Sequence, residues 1–290
     1  MIFLPDHKGY KNNDYIIKDG KLAPVSALDA ILQKDRKEVY EVLRIKNGVP
    51  IFPIEHYERF ARSFEMLGRK SLVTEEEFCE QIALLVEKCG VDDQNVRVDQ
   101  YIDDEDGKEH IYMYLVETHY PTKEHYRDGV TVGYLAGERN TPQAKISDNQ
   151  LRGRADKALL DSGFFEVMLV NHNNEITEGS RTNFFFIKDD TVVASPSDTI
   201  LLGITRMMVL RILEKHGIPY VEQTIPADGL DQFDAAFLTA TSPNVLPVAH
   251  AKGFDAPGMA GKDVDFDAQN TLLRDLMQWF KEEAQAEVDY

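Results

Sequence analysis

Two residues near the middle of the chain, Lys145 and Glu178, have side chains suited to joint chemistry on one cofactor. A lysine amine can hold an aldehyde as a Schiff base, and a carboxylate can keep a pyridine nitrogen protonated so that the ring accepts electrons. Pyridoxal 5'-phosphate needs a lysine amine for its aldehyde and an acidic or basic partner for its ring nitrogen, so the pair suits it well. Taken alone, the pair also fits a solvated lysine and an exposed glutamate in a turn, because the chain contains many residues of both types.

The segment between these two residues predicts a helix and a hairpin. Residues 149–161 form the predicted helix, and residues 166–170 form a predicted buried strand. Residues 171–177 supply a polar turn and a return strand. We expect this hairpin to bring Glu178 and Lys145 into one pocket.

Four short motifs lie in and beyond this segment. They are K-x-x-x-N at residues 145–149, E-G-S-x-x-N-x-F at 178–185, L-x-G-I-T-R at 201–206 and T-x-T-S at 239–242. In this order they resemble the class IV aminotransferases, the fold-type IV pyridoxal-phosphate enzymes, which include branched-chain and D-amino-acid aminotransferases and aminodeoxychorismate lyase. The resemblance implies an α+β fold with a small α+β N-terminal domain and a larger C-terminal domain with a barrel-like β core.

The resemblance also implies roles for individual residues. Lys145 would form the Schiff base and move the proton between the substrate α-carbon and the cofactor, whereas Lys157 would be a surface charge. Glu178 would bind the ring nitrogen. The other implied cofactor contacts are Arg59, Ile204, Thr205, Ala240 and Thr241 at the phosphate, and Gln150 at the phenolic oxygen, where branched-chain enzymes have a tyrosine.

The phosphate contacts also have a physical rationale. Gly203 and Thr205 precede or open a predicted helix, where free backbone N–H groups and the helix dipole favour an anion. Arg59 can pair bidentately with a phosphate, although an arginine on an amphipathic helix is otherwise usually solvent-facing. His56 shares a helical face with Arg59, and we interpret it as structural. The cofactor is therefore expected between the two domains.

Substrate recognition is where the chain departs from the family pattern. The Y-x-R motif of the branched-chain enzymes has no clear match at residues 96–99, and a D-x-G-x-x-x-G run is missing at residues 29–39. Candidates for binding the substrate carboxylate are Arg44, Arg181 and Ser242. Arg44 shares the strand phase of its apolar neighbours, so it is a candidate to point inward.

The predicted domains are residues 1–120, which contribute Arg59, and residues 128–290, which bind the cofactor, with a linker at residues 121–127. The first domain contains a predicted hairpin with an Asn47–Gly48 turn and two helices, at residues 54–67 and from a capping box at Thr74 and Glu77 to Gly90. Two further strands surround a turn at Asp106 and Gly107. The second domain is predicted to contain strands at 130–135, 184–187, 191–194 and 235–239, a helix ended by Gly217, and a C-terminal helix at 268–284.

Composition narrows the class of protein. A formal net charge of −18 in 290 residues argues against nucleic-acid binding, because a polyanion would be repelled. The sequence has no apolar run long enough to cross a membrane, so we expect a cytoplasmic protein. The two cysteines, Cys79 and Cys89, fit reduced thiols better than a disulfide or a metal site.

The sequence therefore predicts a pyridoxal-phosphate-dependent aminotransferase that acts on a small amino acid and a 2-oxo acid through a Schiff base on Lys145. The resemblance further implies a homodimer. An aminodeoxychorismate lyase-like elimination enzyme, a cofactor-binding family member without turnover, and a non-enzymatic binding protein are the alternatives. The sequence does not specify the amino donor or its L or D configuration.

Overall fold

The computed structural model describes residues 14–28, 38–103, 107–118, 120–253 and 263–289. The chain forms two compact units. The larger unit contains Tyr120–Gln143 and Asn149–Glu283. The smaller unit contains the described residues up to 118, the chain from Ala284 onward and the short segment Ala144–Asp148. Lys145 therefore belongs to the smaller unit, although the chain on both sides of its segment belongs to the larger one.

The described part of the smaller unit has a six-stranded antiparallel sheet and two helices. The strands are β1 (Tyr15–Lys18), β2 (Lys21–Pro24), β3 (Val39–Lys46), β4 (Val49–Pro50), β5 (Asp93–Ile102) and β6 (Glu109–Val116), and the helices are α1 (Pro53–Met66) and α2 (Glu75–Cys89). Their order in the sheet is β2-β1-β6-β5-β3-β4. β3 is thus next to the edge, and short β4 pairs only with its last residues.

Successive side chains of β3 point to opposite faces of this sheet, so alternate residues of the strand share one face. Val39, Leu43 and Ile45 lie in one apolar core with aromatic and aliphatic residues of α1 and α2. Glu41 has the same phase as these three residues and is completely buried. Tyr40 alternates to the opposite face.

The larger unit is built on a ten-stranded mixed sheet. Its strands are β7 (Val130–Ala136), β8 (Glu166–Val170), β9 (Glu175–Gly179), β10 (Asn183–Lys188), β11 (Thr191–Ala194), β12 (Tyr220–Glu222), β13 (Ile225–Pro226), β14 (Ala235–Ala240), β15 (Asn244–Ala251) and β16 (Val264–Asp265). Its helices are α3 (Lys123–Asp128), α4 (Asn149–Ser162), α5 (Ile204–His216) and α6 (Thr271–Asp289), whose residues from Ala284 onward belong to the smaller unit. The order is β12-β11-β10-β14-β15-β7-β8-β9-β13, with β16 beside β15.

The centre of this sheet is covered on both faces. Every residue of β8 is buried, and its side chains alternate between two cores: Met168 and Val170 lie in the main apolar core of the unit, whereas Val167 and Leu169 pack with α4. Burial on both faces explains why the strand has a continuous apolar run. β8 and β9 form the hairpin that ends in Glu178 and Gly179.

Most elements agree with the sequence predictions. The hairpin turn at Asn47 and Gly48, the helix that follows it, the capping box of Thr74 and Glu77, and the left-handed Gly90 that ends α2 are confirmed. The strand after the first turn, predicted at residues 49–53, ends at Pro50, and Pro53 already opens α1. α6 begins later and runs further than predicted. The predicted turn at Asp106 lies partly outside the described residues.

Within the described ranges, no helix combines the length and the apolar character that crossing a membrane requires.

Candidate active site

The backbone of Lys145 is held between β3 and α1. Its carbonyl oxygen accepts a hydrogen bond from the Tyr40 amide at 3.1 Å, and its own amide donates to Ser63 Oγ at 3.1 Å. Two residues further, the Ser147 amide donates to the Glu38 carbonyl at 2.9 Å. The segment thus continues the sheet along the part of β3 that β4 leaves uncovered, and this pairing fixes where the lysine side chain begins.

The Lys145 side chain lies against an aromatic ring. Its Nζ is 4.6 Å from the centroid of the Tyr40 ring, and Arg97 Cζ is 4.4 Å from the same centroid. Arg97 Nε donates to Asp99 Oδ1 at 2.8 Å, and its Nη2 donates to Glu38. Burial opposes the charged form of Arg97, but Asp99 and Glu38 outweigh it and raise the pKa of Arg97 well above its usual range.

Arg59, predicted to bind the phosphate, is paired with a buried carboxylate. Arg59 Nε donates to Glu41 Oε1 at 2.8 Å, and its Nη2 donates to Oε2 at 2.6 Å. His56 Nδ1 lies 2.8 Å from Glu41 Oε2. Ser63, which binds the Lys145 amide, donates to the Arg59 carbonyl at 2.8 Å. One turn of α1 therefore contacts both the arginine pair and the lysine segment.

The charges in this buried cluster follow from its contacts. Burial alone would raise the pKa of Glu41, but the charge and hydrogen bonds of Arg59 and the hydrogen bond of His56 lower it to about 2. Burial lowers the pKa of His56, and the nearby Arg59 and Lys145 charges lower it further against the opposing effect of Glu41. Since an ionised carboxylate only accepts, neutral His56 must carry its proton on Nδ1.

In the larger unit, Glu178 is buried and held from two sides. Arg139 Nε donates to Glu178 Oε1 at 2.8 Å, and the Leu201 amide donates to Oε2 at 3.2 Å. Arg139 Nη2 also donates to the Ser180 carbonyl at 3.2 Å. The carboxylate therefore has a cationic partner, and its plane is fixed by an arginine that sequence analysis did not identify.

Asn183 links two of the sequence motifs. Its Nδ2 donates to the Leu201 carbonyl at 2.8 Å, and its Oδ1 accepts from the Gly203 amide at 3.2 Å. A Cβ atom on Gly203 would come within 2.3 Å of this Oδ1, so only glycine fits there. Because the Leu201 amide also binds Glu178, the start of α5 is tied to the glutamate.

The first turn of α5 has the donors that an anion needs. Gly203 is its N-cap and has no side chain to cap the helix. The Met207 amide makes the first bond back to the Gly203 carbonyl, so the amides of Ile204 and Thr205 have no acceptor within the helix. Among the described residues, the Thr205 hydroxyl makes no hydrogen bond. This donor set fits a phosphate group.

The T-x-T-S motif lies beside the same region. Thr239, on β14, is the cross-strand neighbour of Asn183 on β10. Ala240 ends the strand, and Thr241 and Ser242 follow it in a half-buried turn. In the larger unit the structure therefore brings together the motifs that begin at Glu178, Leu201 and Thr239. In the smaller unit it brings Lys145 together with α1.

The remaining predicted residues have other partners. Arg44 is paired with Asp93 at 3.1 Å, and Arg181 is paired with Asp156 on α4. Gln150 is exposed in the first turn of α4 and makes no hydrogen bond with the described residues. These contacts do not test the predicted roles, which stay predictions.

Lys157, the competing lysine, is 76% exposed and forms an ion pair with Asp161 at 2.7 Å. This environment is that of a surface charge, as the sequence suggested.

Sequence reasoning missed Glu41 and Arg139. Glu41 left a signal, because strand alternation puts it in phase with Leu43 and other core residues, and a buried acid requires a cation. Arg59 on the next helix is that cation, and neutral His56 adds a hydrogen bond. Arg139 lies in an irregular segment after β7, where no periodic pattern indicates which way a side chain points.

The model of the family amino-transferase class IV matches residues 38–251. A D-alanine aminotransferase from Bacillus licheniformis is 29% identical over 263 residues, covering 81% of this chain and 87% of that protein. A probable branched-chain-amino-acid aminotransferase from Thermotoga maritima is 29% identical over 217 residues, covering 72% of this chain and 76% of that protein.

Among solved structures, a branched-chain amino acid aminotransferase from Escherichia coli superposes with a TM-score of 0.77. The match covers 93% of this chain and 94% of that one at 19% sequence identity. At this identity the likeness concerns the fold.

Proposed function

Because this chain belongs to the class IV aminotransferase family, we propose that it transfers the amino group of a small D-amino acid to a 2-oxo acid, with Lys145 as the residue that bonds pyridoxal phosphate. When bound, this cofactor supplies an electron sink that makes the bonds to the substrate α-carbon labile. Family membership confirms the predicted cofactor, the aminotransferase class and the fold-type IV architecture.

The observation that carries the role of Lys145 is its fixed backbone beside β3. Both its amide and its carbonyl are hydrogen-bonded, so the amine starts from a defined position. Lys145 Nζ would hold the cofactor at its aldehyde carbon and, as a free amine, would serve as the base for the proton of the substrate α-carbon. Surface-exposed Lys157 has no comparable support.

Glu178 is proposed to bind the ring nitrogen of the cofactor. A buried carboxylate that stays ionised favours a protonated pyridine nitrogen. The Arg139 guanidinium and the Leu201 amide support this role, because they donate to the two carboxylate oxygens and fix their orientation.

The proposed phosphate contacts are hydrogen-bond donors at the start of α5. The amides of Ile204 and Thr205 at the start of α5, and the Thr205 hydroxyl, provide donors for an anion. Arg59, Ala240 and Thr241 complete the proposed set. Gln150 at the phenolic oxygen, and Arg44, Arg181 and Ser242 at the substrate carboxylate, remain proposals that rest on the sequence.

The D-configuration is proposed from the relatives. The name D-alanine aminotransferase belongs to the relative that matches over 81% of this chain, and to several further relatives from Staphylococcus. A branched-chain L-amino acid is the second candidate donor, favoured by the relative from Thermotoga maritima. We also propose a homodimer, by analogy with the family.

The first experiment tests the anchor. Purified protein is incubated with pyridoxal phosphate, its visible absorption is recorded, and the Schiff base is reduced with borohydride before peptide mapping. A Schiff-base band with the label on Lys145 is expected, and Lys145→Ala should lose both. A label spread over exposed lysines such as Lys157, or no band, would overturn the assignment.

The second experiment identifies the donor. D-alanine, L-alanine and L-leucine are each supplied with 2-oxoglutarate, and the new 2-oxo acid is measured. Turnover with D-alanine only is expected, whereas turnover with L-leucine only would identify the second candidate. Pyruvate release from aminodeoxychorismate without an amino acceptor would instead identify a lyase. Light scattering of the same sample tests the homodimer, since a mass near 33.0 kDa would identify a monomer.

A further inference from the structure

The last residue of the L-x-G-I-T-R motif, Arg206, has no part in the proposed chemistry, yet its side chain is almost fully buried. It lies in the first turn of α5, directly after the proposed phosphate donors Ile204 and Thr205, and only 4% of its surface is exposed. A buried guanidinium must be paired, because burying an unpaired charge is costly. The partners of Arg206 therefore show what holds the first turn of the helix.

Arg206 is paired with a carboxylate on strand β12. Its Nη2 lies 2.8 Å from Glu222 Oε1, 2.8 Å from the Tyr220 hydroxyl oxygen and 3.1 Å from Ser197 Oγ. The Tyr220 hydroxyl in turn donates to Glu222 Oε1 at 2.9 Å. One guanidinium nitrogen therefore joins the first turn of α5 both to β12 and to the loop that precedes the helix.

Glu222 binds the same loop directly. Its Oε2 accepts a hydrogen bond from the Ser197 amide at 2.8 Å, and its Oε1 accepts one from the Ser197 hydroxyl. Burial alone would raise the pKa of Glu222, but the hydrogen bonds of Ser197, Tyr220 and Arg206 lower it to about 2. The carboxylate is therefore ionised at neutral pH, although 32% of its side chain is exposed.

These contacts tie together the two ends of the loop between β11 and α5. The chain leaves β11 at Ala194, passes through the 3-10 turn Ser197–Thr199 and enters α5 at Ile204. β11 and β12 are parallel neighbours, with Ala194 opposite Glu222. Glu222 thus lies beside the start of the loop, and Arg206 lies just beyond its end.

The middle of this loop is held by other contacts. Asn183 binds the Leu201 carbonyl and the Gly203 amide, which fixes the segment before the helix. The apolar face of α5 packs against β14, but apolar burial is non-directional. Arg206 adds a directional bond from the first turn itself to a neighbouring strand, so it can fix the direction in which the helix leaves the loop.

We propose that Arg206 and Glu222 form a clamp that positions the first turn of α5, so that the amides of Ile204 and Thr205 point at the phosphate group of the cofactor. The inference rests on the proposed phosphate site at α5. Arg206 is a positioning residue, because its charge is paired with Glu222. The clamp explains why an arginine follows isoleucine and threonine in the motif.

A purely electrostatic role of Arg206 makes the opposite prediction. Removal of the Glu222 charge would leave the Arg206 charge uncompensated next to the phosphate donors, and an uncompensated cation binds phosphate more tightly. If the pair acts as a clamp, the same change loosens the first turn and weakens phosphate binding. The sign of the effect therefore separates the two roles.

The test uses the full-length protein with Glu222→Gln, Arg206→Met and the double variant. Glu222→Gln keeps the size of the side chain but removes its charge and one of its two acceptor oxygens, and Arg206→Met removes the guanidinium donors. The matched control is Glu214→Gln, which makes the same charge change at an exposed position of α5. Circular dichroism confirms that each variant is folded.

The measured quantity is the ratio of the dissociation constants of pyridoxal and pyridoxal phosphate, each obtained by titration of the Schiff-base absorbance. The ratio isolates the phosphate contacts, so a general loss of stability leaves it unchanged. Glu222→Gln and Arg206→Met should each lower it about three- to tenfold. The double variant should lose no more than the larger single loss, because the two residues act through one contact. Glu214→Gln should keep the wild-type ratio.

Three results would overturn the clamp. They are an unchanged ratio in Glu222→Gln, a higher ratio in that variant, which would show the electrostatic role, and additive losses in the double variant. If the Arg206 variants do not fold, Glu222→Gln and Ser197→Ala decide alone. Ser197→Ala removes one hydroxyl from the contact and should also lower the ratio.

A further variant separates these outcomes from a failure of the proposed phosphate site. Thr205→Val should lower the ratio and weaken the competition of inorganic phosphate with pyridoxal phosphate. If Thr205→Val matches the wild type in both measurements, phosphate does not bind at α5, and the proposed site is wrong together with the clamp. If Thr205→Val has its expected effect while Glu222→Gln keeps the wild-type ratio, only the clamp is wrong.

Discussion

Glu41 is an ionised carboxylate inside the apolar core of the smaller unit, and it is stable there only because three donors surround it. Arg59 supplies two hydrogen bonds and His56 supplies one. A buried ion pair adds little net stability, because desolvation offsets its attraction, but loss of one partner leaves the other charge uncompensated. The cluster therefore fixes the orientation of Arg59 at the cost of sensitivity to mutation.

We expect Glu41→Gln to lower the free energy of unfolding by about 3–5 kcal/mol, because Arg59 would remain buried without a counter-charge. Urea unfolding of the full chain measures this change. Glu58→Gln, at an exposed position of the same α1 helix, should change it by less than about 0.5 kcal/mol. A similar loss of unfolding free energy in the two variants would show that the buried ion pair is no more sensitive to mutation than an exposed charge.

The same group predicts a dependence of stability on pH. Glu41 has a pKa of about 2 in the folded chain against an ordinary value of 4.5. A lowered pKa contributes stability above the ordinary value, and this contribution is lost as pH falls through the folded value. The contribution of Glu41 to the difference in unfolding free energy between wild type and Glu41→Gln should therefore shrink between about pH 4.5 and pH 2. A difference that grows between these two pH values would contradict this assignment.

At the scale of elements, the start of α5 is held by a side chain from another strand. Asn183 binds the Leu201 carbonyl and the Gly203 amide, and Leu201 in turn binds Glu178. These bonds explain why the asparagine of one motif and the glycine of the next occur together. The position of the proposed phosphate donors thus depends on the contact between Asn183 and Gly203, which leaves no space for a Cβ atom on residue 203.

We expect Gly203→Ala to destabilise the protein by about 1–3 kcal/mol and to weaken pyridoxal phosphate binding at least tenfold, because its Cβ would displace the Asn183 amide. The matched control is Gly153→Ala in α4, where a Cβ meets no atom within 4 Å. That change should stabilise the helix by about 0.5–1 kcal/mol. Thermal unfolding and cofactor titration measure both effects, and unchanged cofactor affinity in Gly203→Ala would argue against phosphate binding at α5.

The sequence predicted those elements whose stabilising contacts join residues close together in the chain. The capping box of Thr74 and Glu77 predicts the start of α2, since its two hydrogen bonds join residues that are close in sequence. The pairing of the Lys145 segment with β3 has no such signal. It joins residues about a hundred positions apart through backbone groups, which are identical for every amino acid.

At the scale of the whole molecule, the four motifs identified the family and its cofactor, but they did not reveal how their side chains are supported. Arg139, Asn183 and Tyr40 bind the proposed functional groups, and their partners are distant in sequence. Their positions depend on tertiary packing and not on periodicity. Fold and chemistry were therefore accessible from sequence, whereas the supporting contacts needed the structure.

The net charge of −18 on 290 residues also acts on the whole chain. Like charges on a compact chain repel one another more than on an expanded one, so added salt should favour folding by screening them. Exposed ion pairs such as Lys157–Asp161 are weakened by the same screening, but each is worth at most about 1 kcal/mol. We expect the midpoint of thermal unfolding to rise when NaCl is increased from about 10 mM to about 150 mM, where the screening length falls from about 30 Å to about 8 Å. Differential scanning calorimetry at pH 7.5 measures it, with an equal osmolarity of sucrose as the uncharged control. A lower midpoint in salt would mean that attraction within ion pairs outweighs the net repulsion.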